Sequence, residues 1–307
     1  MKTDSLPTIL ITGRTGQVGW ELQRTMMPLG NVIAMSRNEM DLNSPDSIRN
    51  NIQKFKPDII INAAAYTAVD RAESEIDLAM KINGEAPGII ASEAKDIGAL
   101  LIHYSTDYVF DGVKQKPYDE TDLPNPINQY GITKLAGERA VTNTDADYLI
   151  LRTTWVYAGR GHNFLKTVLR LAAEKKELSM IADQIGAPTW SRLIAESTAH
   201  VVKQACYEKS NGTFESGLYH LTASGQTSWF GFAEKITDLA REVLKDLNLQ
   251  IKQIHPISTE EYILPAKRPK NSLLCNDALT KRFKIQLPDW ELALKLCMSE
   301  GFNQLDI

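Results

Sequence analysis

Thr8-Ile9-Leu10-Ile11-Thr12-Gly13-Arg14-Thr15-Gly16-Gln17-Val18-Gly19 is the stretch that decides the fold. Its first five residues are a short β-branched and aliphatic run, the pattern of a buried strand. Val18, Leu22 and Met26 then recur at helical spacing, so Gly13, Gly16 and Gly19 stand at a strand-to-helix turn. Such a turn lets the backbone approach a pyrophosphate closely, at a helix N-terminus that carries partial positive charge. The spacing is GxxGxxG, one residue longer than the common GxGxxG, and a glycine-rich turn without a ligand is the competing reading.

Outward from this turn, short apolar runs alternate with helical patterns. Asn31 to Met35 and Asp58 to Asn62 read as strands around a helix over Ser47 to Phe55. A long helix from about Glu73 to Lys95 follows, then a strand from Leu100, a helix around Tyr130 and a strand over Tyr148 to Thr153. This repeated winding predicts an α/β fold, a doubly wound parallel sheet of Rossmann type with helices on both faces. The proline-rich stretch 111–129 breaks the rhythm and is expected to form a substrate-side excursion. Later, Asn163 to Lys175 and Leu193 to Tyr207 read as helices, Leu178 to Ile181 as a strand, and Gly217 to Leu221 as a strand returning to the sheet. Helices from about Trp229 to Leu247 and Trp290 to Met298 complete a smaller cap. The expected division is a dinucleotide-binding domain over 1–155, with a return segment near 190–222, and a mainly substrate-binding cap over 156–307. The cleft between them is the default binding site.

Tyr130 and Lys134 lie four residues apart and so share a helix face. An ammonium held beside a phenol favours the phenolate, which predicts a Tyr130 pKa drawn down from about 10 and a tyrosine able to give a proton to an oxygen. Decoration of a helix surface is the alternative. Leu100-Leu101-Ile102-His103-Tyr104-Ser105-Thr106-Asp107 is an apolar strand ending in hydroxyls and a carboxylate. Ligands of open parallel sheets bind outside the carboxyl ends of the strands, so Ser105, Thr106 and Asp107 are placed where a substrate lies, unless they only turn the chain. The second strand ends at Met35-Ser36-Arg37, with no carboxylate immediately there and an arginine available for a 2′-phosphate. NADPH is therefore expected to serve at least as well as NADH, the alternative being that Arg37 is a solvated charge.

Composition narrows the classes. At 307 residues and 43% hydrophobic content the chain can bury a large core. A net charge of -4 with scattered Lys and Arg gives no footprint for nucleic acid. Cys206, Cys275 and Cys297 lack metal-ligand spacing and a paired framework, and read as reduced thiols in a cytoplasmic protein. Met1 to Pro7 holds no apolar signal core, and no run is long enough to span a bilayer.

With the glycine turn, Asn62-Ala63-Ala64-Ala65, Tyr104-Ser105-Thr106-Asp107-Tyr108-Val109-Phe110 and the Tyr130/Lys134 pair in order, the chain resembles the extended short-chain dehydrogenase/reductase family. Arg152 to Gly159, Asp183 to Thr189 and Arg268 to Ser272 extend the resemblance over nearly the whole chain, toward members that act on dTDP-sugars. The resemblance implies NADPH- or NADH-dependent reduction of the 4-keto group of dTDP-4-dehydro-L-rhamnose to dTDP-L-rhamnose. It implies Thr106, Tyr130 and Lys134 as catalytic residues, with Lys134 also on the nicotinamide ribose. For the cofactor it implies Gly16, Gln17 and Val18 at the pyrophosphate, Asp41 and Leu42 at the adenine, Ala63, Ala65, Tyr66 and Thr67 along its middle, and Tyr104 on its nicotinamide side. Asp107 and Trp155 match sugar contacts, Trp155 having a packing role as its alternative, and Asn83 matches a residue that supports the catalytic helix. Some members bind a divalent ion at a dimer contact through carboxylates after the Ala-Pro-Thr block. Here Arg192 stands in that segment and offers no oxygen ligand, so no metal and a monomer or weak homodimer are expected. Two other readings stay open: a non-catalytic regulatory subunit of the same fold, as in methionine adenosyltransferase, and a reductase or epimerase of another nucleotide sugar.

Overall fold

In the computed structural model, which describes residues 6–244 and 247–300, all but one of the strands read from the sequence form one parallel sheet. Residues 1–5, part of the stretch expected to lack a signal core, residues 245–246 of the helix expected to reach Leu247, and the last seven residues of the expected cap lie outside the described residues. The strands are β1 (Thr8–Thr12), β2 (Asn31–Met35), β3 (Ile59–Asn62), β4 (Leu100–Thr106) and β5 (Asp147–Thr153), with Gly217–His220 on the outer edge. Their spatial order is edge strand, β5, β4, β3, β1, β2. The chain therefore reverses its direction of winding at β1, and the carboxyl ends of β1 and β3 open a crevice at that switch point.

The apolar runs are continuous because both faces of the sheet are covered. Alternate side chains explain which layer each residue joins. Ile9, Ile11, Ile59, Ile61 and Ile102 pack with Leu22, Met26, Ile194 and Val201, from helices Gln17–Met26 and Ser191–Ser210. Leu10, Ile60, Leu101 and Ile150 pack on the other face with Ile48, Ile52 and Ile90. A third cluster, built on Tyr157, Leu169, Phe232, Ile236, Trp290 and Leu294, lies among the later helices.

Three features differ from the sequence reading. The helix expected over Glu73 to Lys95 is broken into Val69–Ala72, Ile76–Met80, a π-helical turn Lys81–Glu85 and Ala86–Ile97. Pro87 has no amide hydrogen to give to the Asn83 carbonyl four residues back, which favours a widened turn there. The strand Glu177–Ile181 forms but pairs in parallel with Gln253–Ile257, outside the main sheet. Finally Asp277–Phe283, unread in the sequence, is a helix whose Leu279 and Phe283 join the core of the sheet rather than the later cluster.

The proline-rich excursion is stitched to a late segment of the chain. Tyr118 N donates to Leu273 O at 2.8 Å, Cys275 N to Tyr118 O at 2.8 Å, and Asn128 Nδ2 to Lys267 O at 2.7 Å. Arg268 grips Asp70, in the short helix Val69–Ala72 beyond β3, with two hydrogen bonds, of 2.7 and 3.0 Å. Residues far apart in sequence are thus held around the carboxyl ends of β3 and β4.

Candidate active site

At the turn after β1, Gly13 has φ +73°, a left-handed conformation that L residues rarely adopt. A Cβ on Gly19 would stand 2.1 Å from Gly13 O, so the turn closes onto the helix only with glycine there. Gly16 N donates to Gly13 O at 2.9 Å and Gly16 caps helix Gln17–Met26 with no side-chain cap and no acidic residue in the first turn. The first-turn amides are left facing outward without an intrahelical partner, as a bound anion requires. Before them lies an open cavity of about 510 Å³.

That cavity gathers nearly every residue expected at a dinucleotide. Gly13, Gly16, Gln17 and Val18 line it, with Arg37, Asp41 and Leu42 beyond β2, Ala63, Ala65, Tyr66 and Thr67 beyond β3, and Tyr104, Tyr130 and Lys134 at the far end. Gly19 lies beneath, in the contact that closes the turn. A glycine cradle, free helix amides and a cavity running from β2 past β1 to β4 fit a nicotinamide dinucleotide. Ala64, Met40 and Thr15 also line the cavity, as do Ile82, Ser105, Thr153, Val156, Gly161 and His162. Thr15, Met40 and Ala64 adjoin motif residues and so were within reach of sequence reading. Gly161 and His162 arrive from a loop beyond the sheet, and no local pattern announced them.

Helix Gln129–Thr142, which carries Tyr130 and Lys134, is started by Asn128, whose Oδ1 accepts from Gly131 N at 2.8 Å. Tyr130 and Lys134 share its inward face, but their electrostatics differ from the expectation. Lys134 Nζ donates to the Tyr104 carbonyl of β4 at 2.6 Å instead of serving the phenol. Loss of hydration and the charge of Asp107 hold the Tyr130 pKa above its ordinary value, against a smaller lowering by a hydrogen bond with Thr106. The predicted downward shift is thereby overturned: spacing brought the two groups to one site, but burial and Asp107 set the direction. Burial also acts on Lys134 itself, bringing its pKa down to about 8, with Glu138 partly opposing.

Thr106 Oγ1 donates to Asp107 Oδ1 at 3.0 Å and accepts from Tyr108 N at 3.2 Å. Asp107 is 3% exposed; burial pushes its pKa up to about 6, offset in part by the hydroxyls of Ser272, Thr106 and Thr154. Tyr108 meets Tyr130 edge to face, with ring centroids 5.7 Å apart. Thr106 and Asp107 do not line the dinucleotide cavity; they adjoin it through Ser105 at the end of β4. Asn83 sits in the π turn, accepts from Tyr66 N at 2.8 Å, and donates to Tyr66 O at 3.0 Å and Thr133 Oγ1 at 3.2 Å. It ties helix Gln129–Thr142 to the loop beyond β3. Beneath the site, Thr12 Oγ1 donates to Asn62 Oδ1 at 2.7 Å and Asn62 Nδ2 reaches His103 Nδ1 at 3.1 Å, locking β1, β3 and β4 together.

Trp155 also stands outside the cavity. Its φ of +44° is strained for a bulky residue, and its ring stacks on Trp229 at 3.5 Å and 10°. A Cβ on Gly186 would lie 2.5 Å from Trp155 Cε2, so this stack needs glycine behind it. Trp229 Nε1 donates to Gln184 Oε1 at 3.1 Å, fixing the second ring.

The RmlD substrate binding domain model matches residues 7–302. The chain belongs to this family. It is 52% identical to a dTDP-4-dehydrorhamnose reductase of Burkholderia thailandensis over 296 residues, covering 96% of this chain and 99% of that one. It is 46% identical to the dTDP-4-dehydrorhamnose reductase of Escherichia coli K12, over 96% and 98% of the two chains. The crystal structure of a Bacillus anthracis dTDP-4-dehydrorhamnose reductase in complex with NADP superposes with TM-score 0.85 at 37% identity, over 96% of this chain and 100% of that one.

Arg192, the residue expected to stand where some related chains carry a metal-binding carboxylate, forms ion pairs instead. Its Nε lies 3.3 Å from Glu21 Oε2, and its Nη1 pairs with Glu300. Glu21 is also held by Arg24 at 2.8 Å. A guanidinium thus pairs with both carboxylates, and its positive charge opposes a divalent ion beside them. Activity and molar mass are expected to be the same with EDTA and with excess Mg²⁺. Size-exclusion chromatography with light scattering checks this, and a metal-dependent change of mass would show that other ligands restore a site.

Proposed function

We propose that this chain reduces the 4-keto group of dTDP-4-dehydro-L-rhamnose to dTDP-L-rhamnose with NADPH or NADH, acting in the cytoplasm as a monomer or weak homodimer. The observation that carries the reading is the convergence of Tyr130, Lys134 and Tyr104 at one end of a cavity whose other end is the glycine turn. Resemblance to reductases of this substrate extends over 96% of the chain. No helix among the described residues is long and apolar enough to cross a membrane.

When bound, the dihydronicotinamide supplies the hydride that reduces the sugar carbonyl carbon. As that carbon accepts electrons, negative charge grows on its oxygen, and the site must meet the charge with hydrogen bonds and a proton. Tyr130 is the proton donor. Its raised pKa keeps the phenol protonated at neutral pH, so the acid is ready before reaction and gives its proton only to an oxygen made basic by reduction. Thr106 orients that oxygen. Asp107 and the face of Trp155 hold the sugar, with Asp107 in its charged form above about pH 6. Lys134, protonated below about pH 8, binds the cofactor ribose and places positive charge beside the reacting centre. Asn83 positions the helix that carries Tyr130 and Lys134.

A regulatory subunit of the same fold would have no need for Thr106, Tyr130 and Lys134 together at an open dinucleotide cavity. Oxidation of NADPH against a panel of 4-keto nucleotide sugars tests the reading. Turnover is expected with dTDP-4-dehydro-L-rhamnose in preference to UDP- or GDP-linked ketosugars. Cofactor binding without oxidation of NADPH on any of them would favour the regulatory role.

A further inference from the structure

The second strand ends at Met35 with no carboxylate beside it in sequence, but the backbone brings one back. Residues 36–40 form a tight turn in which Glu39 N and Met40 N both donate to Ser36 O, at 3.1 and 3.0 Å. Glu39 Oε2 then accepts from Ser36 N at 2.8 Å and from Ser36 Oγ at 2.7 Å, while its Oε1 lies 3.2 Å from Arg14 Nη1. Arg14 is the residue after Gly13 of the glycine turn, and its amide donates to Met35 O at 3.0 Å. A backbone amide, a hydroxyl and a guanidinium converge on one set of oxygens. These are donors suited to a phosphate, and a carboxylate of the chain itself occupies them.

The place of this seat gives it meaning. Gly13 and Thr15, which flank Arg14, and Arg37 and Met40, which lie on either side of Glu39, line the dinucleotide cavity, so the seat adjoins its wall rather than lining it. In folds of this type the end of the second strand meets the adenosine ribose, where a carboxylate accepts from a free 2′-hydroxyl and an arginine receives a 2′-phosphate. Arg37 is 70% exposed and only 3.7 Å from Asp41, so it can turn toward an added anion. The loop after β2 therefore carries both devices, Glu39 on the seat and Arg37 beside it in sequence.

Resting on the reading of this cavity as a nicotinamide dinucleotide site, we propose that Glu39 is the residue that sets the balance between NADPH and NADH. With NADH it remains on Ser36 as an acceptor for the ribose 2′-hydroxyl. With NADPH it must leave Ser36 and Arg14 to the 2′-phosphate, and two anions sharing one seat repel. Its hydrogen bonds to Ser36 hold the Glu39 carboxyl below the ordinary carboxylate range, so that repulsion persists at neutral pH.

Dissociation constants of NADPH and NADH for the purified full chain, measured by calorimetry at low ionic strength, test this on wild type, Glu39→Ala and Glu39→Gln. In Glu39→Ala the ratio of NADPH to NADH affinity is expected to rise by about tenfold or more, as removal of a competing charge at close range implies. Glu39→Gln keeps a partner for Ser36 but removes the charge, and should move the ratio the same way by a smaller factor. It decides the matter if the alanine variant folds poorly. Adenosine 2′,5′-bisphosphate should tighten with NADPH, while 5′-AMP should not. A ratio that stays within about twofold of wild type in both variants overturns the role of Glu39 while leaving the dinucleotide site standing. Failure of wild type to bind either cofactor would instead strike the proposed function itself.

Discussion

Tyr130→Phe is expected to lower turnover by at least about a hundredfold, the usual share of a positioned general acid, while the dissociation constant of NADPH changes little. The substitution removes one oxygen and keeps the ring, so the edge-to-face contact with Tyr108 survives and the helix keeps its packing. What is lost is the proton for the sugar oxygen and the hydrogen bond it makes with Thr106. Single-turnover kinetics with saturating NADPH separate this from a binding defect, since only the chemical step should slow. A variant with wild-type turnover would remove Tyr130 from the role of acid.

Lys134 should produce the second large effect, and its pH dependence identifies it. With a pKa brought down to about 8, Lys134 is charged at neutral pH and loses its proton as pH rises through that value. The Tyr130 phenol, with its pKa above the ordinary 10, remains protonated over the same range. An alkaline decline in kcat/KM centred near pH 8 therefore belongs to the lysine, and the activity it supports is present below that pH and lost above it. In Lys134→Met the rate should fall by about a hundredfold with weaker cofactor binding, since a charge near the reacting oxygen and a ribose contact vanish together. The decline near pH 8 should vanish from the residual activity. Its persistence in the variant would assign it to another group, and a change confined to cofactor affinity would end the electrostatic role.

How much of this was legible in the sequence follows from where each signal resides. The parallel sheet was, because strands buried on both faces must be apolar throughout, and β1 to β5 all show such runs between turn residues. The dinucleotide cavity was, because Gly13, Gly16 and Gly19 answer to steric demands of the turn that few other sequences meet. Proximity of Tyr130 and Lys134 followed from helical spacing, but the direction of the tyrosine's pKa did not. That depends on desolvation and on Asp107 from the turn after β4, neither visible in a four-residue interval. The broken helix before Pro87 was missed because apolar periodicity runs through it unbroken. Glu39 gave no sign in the sequence because no carboxylate stands beside Met35, and only a turn carries one back from a later position. Trp155 gave no sign of its left-handed backbone, which depends on the stack with Trp229 and the space beside Gly186.

The most direct test of the central claim follows the hydrogen that is transferred. Wild-type protein is incubated with NADPH carrying deuterium at the transferable position of nicotinamide C4 and with dTDP-4-dehydro-L-rhamnose, and the nucleotide sugar is analysed by NMR and mass spectrometry. The account predicts dTDP-L-rhamnose bearing one deuterium on sugar C4, formed in step with oxidation of the cofactor. A sugar recovered unreduced while the protein binds both ligands, or a product whose new carbon-bound hydrogen comes from solvent, would contradict it.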